Sequence, residues 1–167
     1  MSDTTRRAGK PRRKAAAQAP AAVSAKPPTN EGAISALRLL ARVPIIVRWR
    51  DLDAFNHVNN STFLPYLEEA RLVWLSQLHG PWFGETFLPV LAATDVNYRA
   101  SINWPGEIVV ELYCERLGKS SLTVAHRIVD AQQPHQLYSD GRSVMVWTEP
   151  TSGRSIPLPQ VILDTCQ

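Results

Sequence analysis

Residues 51–60 read Asp-Leu-Asp-Ala-Phe-Asn-His-Val-Asn-Asn, placing two carboxylates, one imidazole and three carboxamides within ten positions. A β-rich run at 43–50 (VPIIVRWR) precedes them, and a helical pattern over 61–79 follows. That order sets loop carboxylates beside a helix start, where backbone N–H groups lack partners and the helix dipole is positive. Such a place can hold an anion or polarise a carbonyl oxygen, and losing one donor there typically costs about 3–4 kcal/mol of transition-state stabilisation. A carboxylate beside a polarised carbonyl is the minimum equipment for acyl transfer. The same residues also suit an ordinary turn and helix cap, because Asp and Asn side chains bond nearby backbone. By spacing alone both readings stay open.

The elements that must position this loop follow from periodicity. In residues 43–50, Ile45, Val47 and Trp49 share one face of a strand. Over 61–79, Phe63, Leu67, Ala70, Trp74 and Leu78 recur at helical spacing. Asn60, Ser61 or Thr62 can cap this helix, Pro65 is tolerable in its first turn, and Gly80-Pro81 stops it. Strand patterns then fill 87–98, 108–115, 121–130 and 137–148, separated by turn-forming segments at 103–106, 117–119 and 130–134. One long helix with about five strands, most of them hairpin-connected, predicts an α+β domain in which an antiparallel sheet packs on a helix. Trp74, Trp82, Phe83 and Phe87 are candidates either for an acyl pocket or for the core.

Charge is unevenly spread. Residues 1–40 carry eight basic residues against Asp3 and Glu31, whereas the remainder holds 10 basic and 13 acidic. The overall +3 is therefore a property of the leader and says little about the domain's ligand. Residues 1–32, rich in Ala and Pro and without an aromatic, are expected to be a disordered basic tail. A tail of this kind can contact nucleic acid or an anionic surface, or simply aid solubility. Residues 33–42 read as a linker or short helix, 43–160 as the domain, and 161–167 as a C-terminal tail. Arg38, Arg42 and Pro44 interrupt the longest apolar stretch, so no membrane span is expected. The basic start leads into no apolar signal segment, and Cys114 and Cys166 lack metal or redox spacing. Both features suit a cytoplasmic protein, with Cys114 in the core and Cys166 exposed.

The segment DLDAFNHVNNSTFLPYLEEAR resembles the signature of hot-dog-fold acyl-CoA thioesterases of the 4-hydroxybenzoyl-CoA thioesterase-like branch. Its D-x-D-x-x-x-H-V-N-N is also similar to the plant acyl-acyl-carrier-protein thioesterases. The resemblance continues through Val96-Asn-Tyr98, Pro105-Gly106, 117–122 and 157–159, and so covers roughly 43–160. It implies a hot-dog fold and hydrolysis of acyl-CoA or acyl-carrier-protein thioesters. By resemblance, Asp53 is the catalytic carboxylate, acting as nucleophile or as general base, and a backbone N–H near Asn60 is the oxyanion donor. His57 assists in the carrier-protein enzymes, but this chain has Phe55 where their motif has Asn, which weakens that assignment. Lys119, Ser120 and Ser121, with Arg99 less securely, are implied as coenzyme A contacts. The resemblance further implies no cofactor, no metal, and a homodimer or homotetramer with the site at a subunit interface. Glu68 and Glu69 read as structural.

Two rival readings are weaker. Asp51-Leu-Asp53 after a strand also resembles haloacid-dehalogenase-type phosphatases, but these need alternating strands and helices. Asp51, Asp53 and His57 are suitable metal ligands, yet nothing else in the chain completes a coordination sphere. A non-catalytic hot-dog domain that binds acyl-CoA is the main alternative, and retention of Asp53 argues against it.

Overall fold

The computed structural model describes residues 34 and 36–166; the expected basic tail lies outside the described residues. Five antiparallel strands form one sheet: β1 (Arg38–Ile46), β2 (Leu88–Tyr98), β3 (Glu107–Leu117), β4 (Ser121–Asp130) and β5 (Leu137–Thr148), in the order β1-β3-β4-β5-β2. A single long helix, α1 (Phe63–Ser76), lies against one face, chiefly over β1 and β3. The α+β reading and the wrapped-helix architecture hold.

Alternation along each strand decides which face meets the helix. Val43 and Ile45 of β1, Ile108, Val110 and Leu112 of β3, Leu122, Val124 and Ile128 of β4, and Met145 and Trp147 of β5 point inward and are buried. From α1, Phe63, Tyr66, Leu67, Ala70, Trp74 and Leu75 complete this core. Pro65 sits in the first turn, where its missing N–H costs nothing. Gly141 on β5 is required by a close approach, since a Cβ there would collide with the Asp95 carbonyl oxygen and the His126 ring.

Several boundaries differ from expectation. β1 begins at Arg38, inside the segment read as linker, because the β3 ladder pairs Arg38 with Cys114 and Leu39 with Tyr113. Tertiary pairing overrides the helix-favouring Ala, Leu and Arg there. The strand also ends early: Trp49–Asp51 form a short 3-10 turn, leaving Trp49 exposed against Trp104 while Val47 stays buried. Residues read as C-terminal tail form a second helix, α2 (Gln160–Cys166), whose Ile162 is fully buried in the core. Cys166 is accordingly half-buried rather than exposed, and burial and the neighbouring Cys114 thiol push its pKa up.

α1 lies chiefly over β1 and β3, and much of β2 is left exposed. β2 is an edge strand whose Val90 and Leu91 are exposed, as are Leu64 and Leu72 on the adjoining helix surface. No helix among the described residues is long and apolar enough to cross a membrane.

Candidate active site

Asp51 and Asp53 have divergent surroundings. Asp51 is buried, and its Oδ2 accepts from the Arg48 backbone N–H (2.9 Å), Arg48 Nε (3.2 Å) and the Tyr66 hydroxyl (2.7 Å). Burial alone would raise its pKa, but the hydrogen bonds from Tyr66 and Arg48 outweigh it and hold the carboxyl below its ordinary value. Its carbonyl oxygen accepts from Asn59 N–H (2.8 Å) and the Thr62 hydroxyl (3.4 Å). Asp51 thus ties the end of the first strand to the start of α1. It is the foundation of the loop.

Asp53 is held differently. Its Oδ1 accepts from the backbone N–H of Phe55 (2.7 Å) and of His57 (3.3 Å), while Oδ2 has no hydrogen-bond partner among the described residues. Asp53 N–H donates to the His57 carbonyl (2.8 Å), and Leu52 bridges Val58, closing a tight loop. The loop turns at Asn56, with φ of 63°, a left-handed conformation that Asn tolerates better than most residues. One carboxylate oxygen is fixed and the other makes no hydrogen bond among the described residues.

The helix start completes the site. Thr62 occupies the N-cap position of α1, as one of the three expected residues, but makes no side-chain cap bond. Asn59 caps the 3-10 turn Asn60–Thr62 that leads into it, its Oδ1 accepting from Ser61 N–H (2.9 Å) and Oγ (2.8 Å). Asn60 N–H makes no hydrogen bond among the described residues, whereas its carbonyl accepts from the Tyr98 hydroxyl (3.1 Å). Tyr98 also meets Phe63 edge-on, ring centres 5.0 Å apart. Asp53, His57, Asn60, Phe63, Tyr98 and Arg99 share the wall of one cavity of about 280 Å³. Small-molecule sites are usually at least this large, and this one is bounded by loop, helix start and the end of β2. His57 is exposed, and Phe55 projects into solvent at 81% exposure.

The structure brings Asp53, His57, Asn60 and Arg99 together. Arg99 is only 7% exposed, and its guanidinium donates to both oxygens of Asp140 at 3.0 and 2.8 Å. It builds the wall rather than reaching out of it. Lys119, Ser120 and Ser121 lie elsewhere, in the β3–β4 turn. The cavity sits where β3 begins and the turn where it ends, eleven residues or roughly 35 Å along the strand. Backbone carbonyls of Lys119 and Ser120 accept from Leu158 and Trp147 N–H; Lys119 is exposed, and Ser120 and Ser121 are half-buried.

Tyr66 and Tyr98 were not singled out from sequence. Tyr66 falls on the buried helical face three residues after Phe63, a signal that periodicity contains; Tyr98 lies in the Val96-Asn-Tyr98 segment of the resemblance, but its contact depends on β2 ending beside the helix start. Trp74, Trp82 and Phe87 belong to the core or pack on it, Phe83 is exposed, and none lines the cavity. Among the described residues, no group of three His, Cys, Asp or Glu is placed to hold a metal.

Comparison with known proteins bears on the family and the fold. A proposed acyl-CoA thioesterase from Xanthomonas campestris is 52% identical, matching 66% of this chain and 93% of its own, with a TM-score of 0.63. A proposed thioesterase from Pseudomonas aeruginosa is 37% identical over 78% of this chain and 100% of its own, with a TM-score of 0.74. A Thermus thermophilus thioesterase, solved with coenzyme A and zinc, is 34% identical over 78% of this chain and 92% of its own, with a TM-score of 0.64. The sequence profile of the thioesterase-like superfamily matches residues 47–165, from the end of the first strand's buried face through α2. With its antiparallel sheet, single long helix and loop carboxylate, the chain belongs to the thioesterase-like superfamily and has the hot-dog fold.

Proposed function

We propose that this protein hydrolyses acyl-CoA thioesters, with Asp53 as the reacting carboxylate and the Asn60 N–H as the donor that polarises the thioester carbonyl. The observation that carries this reading is the asymmetry of Asp53: Oδ1 is pinned by two backbone N–H groups, while Oδ2 is free in a cavity that also holds an unused N–H at a helix start. Charge building on the carbonyl oxygen is stabilised by that N–H and the positive helix end. Oδ2 either attacks the carbonyl carbon, expelling the thiolate and leaving a mixed anhydride that water cleaves, or takes a proton from water that attacks instead. In both routes water supplies the thiol's proton. Its oxygen enters the acid when water attacks the acyl carbon, and enters Asp53 when water cleaves the anhydride at the Asp53 carboxyl carbon, the acid then keeping the oxygen that attacked. His57, at the cavity mouth, assists the water. The same chemistry serves carrier-protein thioesters.

The site is completed by a second copy of the chain. β2 is an unpaired edge with exposed Val90 and Leu91, flanked by exposed Leu64 and Leu72. The Lys119–Ser121 turn lies near the Leu88 end of β2, because Leu88 pairs with Thr148 and Ser121 with Val146. Asp53 lies near the Tyr98 end. Antiparallel pairing of β2 with its copy sets one Tyr98 end beside the other Leu88 end. The partner's turn then supplies Lys119, Ser120 and Ser121 for the coenzyme A of this chain's site. Such a protein suits the cytoplasm, where its thiols stay reduced.

Free-thiol release over a panel of acyl-CoA and acyl-carrier-protein thioesters tests the reading, with Asp53→Asn alongside. The Asn variant is expected to keep the fold and lose at least a thousandfold in kcat/KM. Equal turnover by wild type and variant would leave a non-catalytic acyl-CoA-binding domain as the better account. Single turnover in heavy-oxygen water reads the route, since label on Asp53 with none in the released acid marks an anhydride cleaved at the Asp53 carboxyl carbon.

A further inference from the structure

The opening around Asp53 does not end at Phe63 and Tyr98. Further along the seam between α1 and β2, Leu64, Glu68, Arg71, Leu91 and Thr94 line a cavity of about 300 Å³. Glu68, Arg71 and Leu91 recur in the wall of the next, of about 160 Å³, with Leu72, Val90 and Met145. Leu64 follows Phe63 directly, and Thr94 precedes Tyr98 by four residues on β2. The three openings therefore run in series along one seam, mostly apolar beyond the first.

Arg71 is the exception. Its guanidinium is partly buried and donates a single hydrogen bond, to the neutral Ser143 hydroxyl at 3.3 Å, which is itself engaged by Thr94 at 2.7 Å. Among the described residues no carboxylate lies within ion-pair distance of it; Glu68, one turn earlier, contributes only its field. Behind it His126 is fully buried with Nε2 unpartnered, and burial together with the Arg71 charge keeps this imidazole neutral. A guanidinium has five donors in a planar fork suited to a carboxylate, and burying one without such a partner is costly. Here the guanidinium lines a seam whose other walls are mostly apolar, with Glu68 and Thr94 the polar exceptions, and makes one hydrogen bond among the described residues.

Resting on the hydrolase reading above, we propose that Arg71 selects thioesters whose acyl group ends in a second carboxylate. Arg71 is eight residues beyond Phe63, about 12 Å along the helix axis at ~1.5 Å per residue. Its side chain leans back toward the helix start, which shortens that span. A short dicarboxylic acyl group such as glutaryl or adipoyl fits between Asp53 and Arg71, with its methylenes against Leu64 and Leu91 and its far carboxylate on the guanidinium.

The test compares kcat/KM for adipoyl-CoA and hexanoyl-CoA in wild type, Arg71→Gln and Arg71→Lys, and titrates free adipate and hexanoate into the same proteins. Wild type is expected to prefer adipoyl-CoA by roughly ten- to a hundredfold, the range of one charge-assisted pair. Arg71→Gln brings that ratio near one, and Arg71→Lys, which keeps charge without the fork, retains part of it. Adipate binds wild type more tightly than hexanoate does, and Arg71→Gln removes the difference. The proposal is overturned if wild type treats both thioesters alike, if Arg71→Gln lowers both equally, or if it splits the oligomer, which would assign Arg71 to a subunit contact. Absence of all turnover defeats the hydrolase reading alone, and the adipate titration still decides the role of Arg71.

Discussion

Removing the Asp51 carboxylate tests whether the loop that carries Asp53 is held by one buried acceptor. In Asp51→Ala, three donors that converge on a single oxygen lose their partner. The Tyr66 hydroxyl is the worst placed, because Tyr66 is fully buried and water cannot replace the carboxylate. An orphaned buried hydroxyl costs about 1–3 kcal/mol, and the lost bond to an ionised acceptor adds a similar amount. The Arg48 bonds are half-exposed and count for less. The expected loss is about 3–4 kcal/mol by urea unfolding at neutral pH. Tyr66→Phe alone should cost about 1–2 kcal/mol, and Asp51→Ala/Tyr66→Phe about 1–2 kcal/mol less than the sum, since the double variant leaves no orphan. pH supplies a second arm. The Asp51 pKa is lowered by folding, so its contribution is present above the unfolded value of 3.8 and lost as pH falls through the lower folded value. The gap between wild type and Asp51→Ala should therefore close only in strong acid. Strict additivity in the cycle, or a loss under 1 kcal/mol, would refute the reasoning.

Other outcomes follow from contacts already described. His126, its pKa pushed down to about 4 by burial and by Arg71, is neutral when folded, so stability should fall by roughly 3 kcal/mol as pH drops from 6.5 toward 4. His126→Leu should flatten that slope in acid unfolding curves. Asp140→Ala removes the carboxylate that the buried Arg99 guanidinium bonds at 3.0 and 2.8 Å and should cost about 3–5 kcal/mol by chemical denaturation, whereas Arg99→Met/Asp140→Leu recovers most of it. Tyr98→Phe removes the bond to the Asn60 carbonyl and should lower kcat several-fold while unfolding shifts by about 1 kcal/mol or less, separating site geometry from stability. Leu91→Lys puts a charge on the open edge strand; a protein that stays dimeric and fully active by light scattering and thiol release would sink the proposed pairing.

The sequence made the helix legible because Phe63, Leu67, Ala70 and Trp74 repeat at its period, and the strands legible because their faces alternate. The loop's chemical types were visible too. What periodicity could not reveal was the division of labour between Asp51 and Asp53, which depends on Tyr66 reaching back fifteen residues. Nor could it show that α2 closes the core, since seven residues carry too few apolar repeats to stand out. The end of the first strand misled for a related reason: Trp49 alternates correctly with Val47, yet the chain turns before it. Nothing near Arg99 in the sequence, where the resemblance implied a coenzyme A contact, pointed to Asp140, its partner forty-one positions away.

That partner belongs to a row crossing the whole sheet. Arg42, Glu111, Arg127, Asp140 and Asn97 are successive cross-strand neighbours on the face away from α1, alternating in sign until the amide, with Arg99 hanging from the last carboxylate. Its consequence is alignment rather than strength. A slip of one residue anywhere turns a charge into the core beneath the helix, and a slip of two leaves Glu111 opposite Ala125 or Val129 instead of Arg127. Each seam therefore has one tolerable registration. The wall behind Asp53 inherits its position from a count of residues that begins on the far edge, at Arg42.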